Sequence, residues 1–161
     1  MSRKTELEKV TPHMGRDFLL DYTFGGGFFE DADLASRRRA GAPVTTNDLA
    51  VATGVDAITQ AIANRLKTRK GELASLGHPA YGSRHHELIG EPNVERTRDL
   101  IKLYVLQALR DEGRIEKVLK ADVTAEHSPP RESVRITITV RLVREPAPLN
   151  LVIPFSLESS T

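Results

Sequence analysis

The stretch VRITITVRL, Val134 to Leu142, decides the fold because apolar and polar residues alternate along its whole length. Successive side chains of an extended strand point to opposite faces, so this alternation predicts a strand with one buried and one exposed face. The predicted buried face consists of Val134, Ile136, Ile138, Val140 and Leu142.

Two further alternating runs flank this strand. One covers Leu119 to Ala125, and the other covers Leu149 to Leu157, after the turn-forming residues EPAP. Pro154 lies within the last run, and because proline has no N–H to give to a central strand, we expect this run to be an edge strand. An edge strand carries main-chain groups that can pair with a strand of another chain.

Two amphipathic helices are predicted before the strands. The first ends near Gly71, after a group of basic residues that is typical of a helix C-terminus. The second begins near Asn93, a predicted N-cap, and ends at Gly113. The first helix is predicted from apolar residues spaced three and four apart, namely Val55, Ile58, Ile62 and Leu66.

These elements predict an α+β fold in which two main helices pack on a small three-stranded antiparallel sheet, with an irregular N-terminal extension. We place the extension at residues 1–47 and the α+β domain at residues 48–161. Four of the five phenylalanines lie in the extension beside three consecutive glycines at 25–27, which predict a flexible or tightly turning segment. The phenylalanines are expected to pack on the domain or on another subunit.

Composition excludes several classes of protein. The formal net charge of +1 argues against nucleic acid as the main partner, because phosphate binding needs a concentrated basic face. The basic run at Ser36–Gly41 is interpreted as a solvated loop or as a contact with an acidic partner. The chain has no cysteine, which excludes disulfides and thiolate chemistry. No apolar run approaches the ~20 residues of a membrane span, so we expect no membrane partner.

The loop GHPAYGSRHHELIGEPN, Gly77 to Asn93, holds three of the five histidines and raises the question of a metal site. His85 and His86 are adjacent, so on a helix their side chains point about 100° apart and do not readily share one ion. We therefore predict solvent-facing histidines on a short helix capped by Ser83, and neither a metal nor a cofactor. The candidate ligands considered are His78, His85, His86, Glu87 and Glu91.

No catalytic residue is predicted from the residues alone. A glycosidase needs two carboxylates about 5–9.5 Å apart, and Glu72, Glu87 and Glu91 could supply them, but their spacing carries no signature. The motifs of nucleophilic serine hydrolases, phosphate-binding loops and dinucleotide-binding folds are absent from the sequence.

Three blocks of the chain resemble the GPW-type baseplate wedge family of contractile phage tails and related contractile injection systems. The second block, Arg98 to Val118, holds Glu112-Gly113-Arg114 where the family has Glu-Pro-Arg, and the third is the pair of C-terminal alternating strands. The first block runs from Ala57 to Pro92 and matches the family pattern at Arg65, Leu66, Thr68, Gly71, Glu72, Tyr81, Gly82, Ser83, Leu88 and Glu91.

This resemblance implies a structural role rather than an enzymatic one. Family members are sheath initiators in the baseplate wedge, and their strands pair with extended arms of the first sheath ring. The resemblance implies that Glu112, Gly113 and Arg114 contact the wedge scaffold; the alternative is a local salt bridge of Glu112 with Arg114 at the helix end. A structural turn is implied at Gly71, Glu72, Tyr81, Gly82 and Ser83. The strand that pairs with the sheath is implied to use Leu149, Leu151, Ile153, Phe155 and Leu157.

The implied partners are wedge subunits and the sheath protein, with the tail tube or hub proteins as further candidates, in six copies per particle. The implied location is the virion tail baseplate, or the bacterial cytoplasm in an assembled injection particle. Some family members carry a lysozyme label, so a peptidoglycan-hydrolysing enzyme is the alternative function.

Overall fold

The structure is a computed structural model, and it describes residues 12–25, 28–38, 46–126 and 132–158. The chain divides into two compact units, Met1–Ala61 and Ile62–Thr161, and the boundary lies inside the first helix. The predicted division into residues 1–47 and 48–161 stays a prediction.

Three two-stranded antiparallel ribbons make up most of the described N-terminal unit. They pair β1 (Arg16–Phe18) with β6 (Val51–Thr53), β2 (Leu20–Gly25) with β3 (Phe28–Leu34), and β4 (Ser36–Arg38) with β5 (Asn47–Leu49). Every residue of β1, β4 and β5 is exposed. Because these strands bury no face, their sequences lack the apolar alternation that reveals a half-buried strand.

The ribbons meet at a ring of three backbone hydrogen bonds. The N–H of Leu19 donates to the carbonyl of Ala50, that of Ala50 to Ala35, and that of Ala35 to Leu19, each at 2.8 Å. Each of these three residues connects two strands of different ribbons. The ring therefore joins all three ribbons through main-chain groups and needs no particular side chain.

Helix α1 (Val55–Lys67) follows the ribbons and buries Ile58, Ile62 and Leu66, as their spacing predicts. Gln60 on this helix is also buried and fixes the backbone on either side of the ring of hydrogen bonds. Its Nε2 donates to the carbonyl of Phe18 at 2.7 Å, and its Oε1 accepts from the N–H of Leu20 at 2.8 Å. Both hydrogen-bonding groups of the buried Gln60 amide are thus paired with the backbone of Phe18 and Leu20.

The second unit contains helix α2 (Glu95–Arg110) and an antiparallel sheet of β7 (Ile115–Ala125), β8 (Ser133–Leu142) and β9 (Leu149–Ser156) in the order β7-β8-β9. Helix α2 contacts β7 and the 3-10 helix Arg84–Leu88. Its N-cap residue is Val94 and not the predicted Asn93. No helix in the described parts of the chain is long and apolar enough to cross a membrane.

The predicted fold class, two main helices on one small three-stranded sheet with an irregular extension, is wrong as a description of the chain. Both helices and the sheet are present, but six further strands form ribbons, and four of them, β1 to β4, lie in the region predicted to be irregular. Within the predicted basic loop, Ser36–Arg38 form β4, and residues 39–41 lie outside the described residues. Of the three glycines, Gly25 ends β2, and residues 26–27 also lie outside.

Candidate functional site

Strand β9 lies at the edge of its sheet, as the position of Pro154 predicts. The N–H of Leu157 donates to the carbonyl of Glu132 at 2.8 Å and thereby fixes which residues of the strand face β8. Main-chain groups alternate in direction along a strand, so those facing β8 belong to Leu149, Leu151, Ile153 and Phe155, together with the N–H of Leu157, whose carbonyl accepts from the N–H of Gly90. These five are the residues predicted to pair with the sheath; Leu149 is half-buried and the other four are buried.

The outer edge of β9 is therefore formed by the intervening residues. The N–H and C=O groups of Asn150 and Val152 point away from β8, and the Val152 side chain is 54% exposed. Pro154 holds the next outward position, opposite Arg135, and has no N–H to donate. Along the outer edge, Asn150 and Val152 each have an N–H that can donate, Pro154 has none, and Ser156 holds the next outward position.

Glu112 forms a buried ion group with two arginines. Its carboxylate receives two hydrogen bonds from Arg114, from Nε at 2.6 Å and from Nη2 at 3.0 Å, and lies 3.9 Å from Nη2 of Arg65. Burial alone would raise the pKa of the Glu112 carboxyl, but the hydrogen bonds and charge of Arg114, with that of Arg65, lower it overall. The carboxylate therefore stays charged and joins the chain near the end of α1 to the segment after α2.

Gly113 lies between these partners in a tight turn. The N–H of Ile115 donates to the carbonyl of Glu112 at 3.0 Å, and neither Gly113 nor Arg114 has a positive φ, as in a type I turn. A Cβ added at Gly113 would meet nothing within 4 Å. The backbone therefore does not require glycine here, unlike the positions discussed next.

The predicted structural turn contains two glycines with positive φ, Gly71 at +87° and Gly82 at +97°. A Cβ at Gly82 would lie 2.7 Å from the carbonyl oxygens of Thr68 and Arg69, which excludes any larger residue without movement of the backbone. This close approach lets the N–H of Ser83 donate to the carbonyl of Thr68 at 2.9 Å.

Two side chains of the turn complete this connection. Oε2 of Glu72 accepts from the N–H of Arg69 at 2.9 Å, and the ring of Tyr81 lies 4.6 Å from the guanidinium carbon of Arg65. The latter distance allows a cation–π interaction. The five residues thus lie in one connection that follows α1, and Tyr81 also contacts the Glu112 ion group through Arg65.

The histidines were predicted to face solvent, and for His85 this is wrong. His85 is 2% exposed, and its Nδ1 lies 2.8 Å from Oγ of Ser83. Nε2 of His86 lies 2.8 Å from the carbonyl oxygen of Leu66, and the two rings stack at 4.2 Å between centroids. The ring of Phe155, from β9, packs edge-on against His85 at 4.5 Å. Ser83, the predicted cap, makes no capping hydrogen bond because its hydroxyl is used here.

Burial sets the protonation of both rings. Burial, together with a smaller effect of the neighbouring His86, lowers the pKa of His85 to about 3. Burial also lowers the pKa of His86, against the opposing effect of its hydrogen bond to Leu66. Both histidines are therefore neutral near pH 7 and join α1, the 3-10 helix and β9. The described residues contain no cluster of three or more histidine, aspartate or glutamate side chains that could hold a metal ion.

Comparison with known proteins identifies the family. The sequence profile of the family described as Baseplate wedge protein gp25 matches residues 52–147. The chain belongs to this family. It is therefore a baseplate component, and the matched residues include α1, the turn, α2 and the Glu112 ion group but not β9.

A solved structure is similar to this baseplate wedge family member. It is the crystal structure of a Geobacter sulfurreducens protein provisionally called a tail lysozyme, with 25% sequence identity and a TM-score of 0.59. The similarity covers 68% of this chain and 96% of that one. No curated protein matches the chain.

Two of the three carboxylates considered for hydrolysis make other contacts in this baseplate wedge protein. Glu87 pairs with Arg84 at 2.9 Å, and the hydrogen bonds from Arg84 lower the pKa of Glu87, whereas a general acid needs a raised pKa. Glu72 holds the backbone of Arg69, and Glu91 is exposed.

Proposed function

We propose that this baseplate wedge protein initiates sheath assembly in a contractile tail or injection system, and that the outer edge of β9 accepts an extended strand of the sheath protein. Membership of the family supports the baseplate part of this proposal. The direction of the main-chain groups of β9 supports the strand-accepting part, because an edge strand with outward N–H and C=O groups is what strand addition requires.

The geometry of β9 narrows the contact to a short stretch. Outward groups at Asn150 and Val152 can pair with an added strand, and Pro154 interrupts the donors after them. The residues first predicted for this role, such as Ile153 and Phe155, would instead hold β9 on its own sheet with their main chains and on the core with their side chains. The partner strand would therefore form its main-chain hydrogen bonds with Asn150 and Val152.

The turn at Glu112, Gly113 and Arg114 is proposed as the contact with the wedge scaffold. Glu112 is used within the chain, so its role there would be to fix the shape of the turn. Gly113 is exposed, so a partner could reach its backbone, and Arg114 is half-exposed while its guanidinium pairs with Glu112. The same proposal includes six copies per particle and a position close to the tail tube or hub proteins.

The substitution Val152→Pro tests strand addition. It removes an outward N–H and leaves every hydrogen bond between β9 and β8 in place, because Val152 does not face β8. The matched control is Val152→Thr, which changes the side chain but keeps the N–H. We expect electron micrographs of tails carrying Val152→Pro to show baseplates and tubes with little or no sheath, and tails carrying the control to be normal. Normal sheath on Val152→Pro tails would contradict the proposal.

A peptidoglycan hydrolase is the second candidate, and the provisional name of the Geobacter sulfurreducens protein is the observation that favours it. This function predicts clearing of peptidoglycan in a zymogram, lost in Glu72→Gln or Glu87→Gln. Absence of clearing by the wild-type protein at several pH values would exclude this candidate.

A further inference from the structure

The C-terminal sheet has two edge strands, and they differ in how well they are protected against pairing with another strand. Strand β7 has two register shifts in its ladder and carries four charged residues, Glu116, Lys117, Lys120 and Asp122. Bulges and charged side chains are the features by which proteins prevent strand addition at an edge. Strand β9 pairs with β8 without a register shift and has no charged residue, so that Pro154 is its one such feature. Of the two edges, that of β9 therefore suits an added strand.

Asn150 holds the first outward position of β9 and lies opposite Thr139 on the solvent-facing side of the sheet. The two residues have no main-chain hydrogen bonds to each other, which is the arrangement in which opposed side chains lie closest. Oγ1 of Thr139 donates to Oδ1 of Asn150 at 2.8 Å. This hydrogen bond directs the amide oxygen towards β8, and Nδ2 of the same amide consequently points away from β8.

The Nδ2 group of Asn150 has two N–H donors. Within the described parts of the chain, neither of them donates to another group, and the residue is exposed. A strand added at the outer edge would place a side chain about 5 Å from that of Asn150, because opposed Cβ atoms on one face of a sheet are separated by roughly this distance. A short side chain with an oxygen acceptor would therefore pair with the amide.

Val152 sets a different requirement two residues further along the same face. Its side chain is 54% exposed and lies opposite Thr137 on β8, and β9 is the last strand of the sheet on its other side. An apolar side chain in an added strand would cover this valine, and such cross-strand apolar pairs stabilise a sheet. Asn150 and Val152 together thus suit a strand with one acceptor and one apolar residue, two positions apart.

We infer that Asn150 and Val152 select the sheath strand by its side chains. The strand carries an aspartate, asparagine, serine or threonine beside Asn150, and Nδ2 of Asn150 donates to the oxygen of that side chain. Beside Val152, two positions away, it carries an apolar residue. The inference rests on the proposed strand addition, to which main-chain groups alone contribute no choice between sequences. Asn150 is a specificity-determining residue in this contact, and Thr139 positions it.

The substitution Asn150→Leu tests the inference in assembled tails. Leucine has nearly the size and branching of asparagine and keeps the outward main-chain N–H, but its side chain has no donor. The matched control Asn150→Gln keeps a side-chain amide. Loss of one hydrogen bond weakens binding by about fivefold. We therefore expect the fraction of tails with sheath in electron micrographs to fall by roughly this factor for Asn150→Leu and to be normal for Asn150→Gln.

A screen of sheath-protein variants identifies the residue that Asn150 contacts. Variants that restore sheath on Asn150→Leu tails are expected to replace one aspartate, asparagine, serine or threonine by an apolar residue, because the leucine then has an apolar partner. Restoring substitutions that arise only at residues without a side-chain oxygen would overturn the inference.

The variant Val152→Pro separates this inference from the proposed function. Loss of sheath on Val152→Pro tails with normal sheath on Asn150→Leu tails would leave strand addition standing and overturn the selection by Asn150. An equal loss for Asn150→Leu and Asn150→Gln would also overturn it, because the amide would then not be what the partner recognises. Normal sheath on Val152→Pro tails would contradict strand addition itself and, with it, the inference that rests on it.

Discussion

Single side chains of this protein join segments that are distant in sequence. Glu112 brings together two arginines, and His85 and His86 connect the end of α1 with β9. Each of these polar groups is buried or partly buried and depends on its partners, because an unpaired buried polar group is costly. Substitutions at such residues are therefore expected to change stability before they change any contact with a partner protein.

The substitution Glu112→Gln is expected to destabilise the protein by about 3 kcal/mol, because it leaves the charges of Arg114 and Arg65 without a carboxylate in a site with little solvent. The control is Glu87→Gln, which breaks the exposed ion pair with Arg84 and is expected to cost at most about 1 kcal/mol. Urea unfolding of the three proteins measures both values. Equal losses for the two variants would show that the Glu112 group contributes no more than a surface pair.

Gly113 is the position at which this chain departs from the Glu-Pro-Arg pattern. Its φ is not positive and a Cβ has room, so Gly113→Ala and Gly113→Pro are expected to stabilise the protein by about 0.4–1 kcal/mol by restricting the unfolded chain. Thermal unfolding monitored by circular dichroism measures the gain. A lower melting temperature for both variants would contradict the type I turn, whereas a gain for alanine alone would point to a use for the Gly113 N–H.

Acid is expected to destabilise the protein through its histidines. The pKa of His85 is about 3 in the folded state, and it is ~6.5 in an unfolded chain. Between these values the unfolded state binds a proton that the folded state does not, so stability falls as pH decreases from about 6.5 towards 3. Each fully neutral histidine contributes a slope of up to about 1.4 kcal/mol per pH unit. Glu112, whose pKa is also lowered, adds a slope of the same sign at lower pH.

Urea unfolding at a series of pH values measures this slope. The variant His85→Gln keeps a polar side chain near Ser83 but does not titrate. We therefore expect a smaller slope of its unfolding free energy against pH between about 4.5 and 6.5, and the decrease is at most the contribution of one proton. An unchanged slope in His85→Gln would show that His85 does not remain neutral in the folded protein.

At the scale of the elements, the sequence predicts those helices and strands that have one buried face. The strand Ser133–Leu142 was predicted because its apolar residues face a core, and α1 was predicted for the same reason. The ribbons were missed because β1, β4 and β5 have no buried face. His85 was missed because a polar residue in a loop carries no signal of burial, although the partner hydroxyl of Ser83 lies two residues away.

The contact residues of β9 illustrate a further limit of the sequence. The pattern from Leu149 to Leu157 reveals which side chains face the core, and those were the residues proposed for strand addition. The structure fixes the direction of the main-chain groups, which for the same residues is towards β8. The N–H and C=O groups that point outward belong to the neighbouring residues Asn150 and Val152. Which residues point outward depends on the hydrogen-bonding register between β9 and β8, and side-chain polarity alone does not determine this register.

Pro154 is expected to prevent two copies of β9 from pairing with each other. In a two-fold antiparallel pair of β9 edges, each copy would lack one donor, so two hydrogen bonds are lost per pair. Restoring them in Pro154→Val is worth about 2 kcal/mol at roughly 1 kcal/mol per bond. We expect this variant to dimerise more strongly than the wild type in analytical ultracentrifugation.

The double variant Val152→Pro, Pro154→Val is the control for this prediction. It again removes one outward N–H from the same edge, now at position 152 instead of 154, so we expect it to be as monomeric as the wild type. Dimerisation that persists in the double variant would place the contact elsewhere, and Pro154→Val with the mass of the wild type at every concentration would show that the proline does not protect the edge.

At the scale of the whole molecule, both proposed contacts, the β9 edge and the Glu112 turn, lie in the C-terminal unit. The family profile matches residues 52–147, so most of the ribbons and all of β9 lie outside the matched region. The resemblance of the central blocks could therefore point to the family, while the ribbons had to be found in the structure.

A cryo-electron microscopy map of the assembled baseplate with its first sheath ring is the most direct test of whether β9 accepts a strand of the sheath protein. We expect an added strand about 4.8 Å from β9, with main-chain hydrogen bonds to Asn150 and Val152. A map in which the outer edge of β9 faces solvent, or in which the sheath contacts a different surface of this chain, would contradict it.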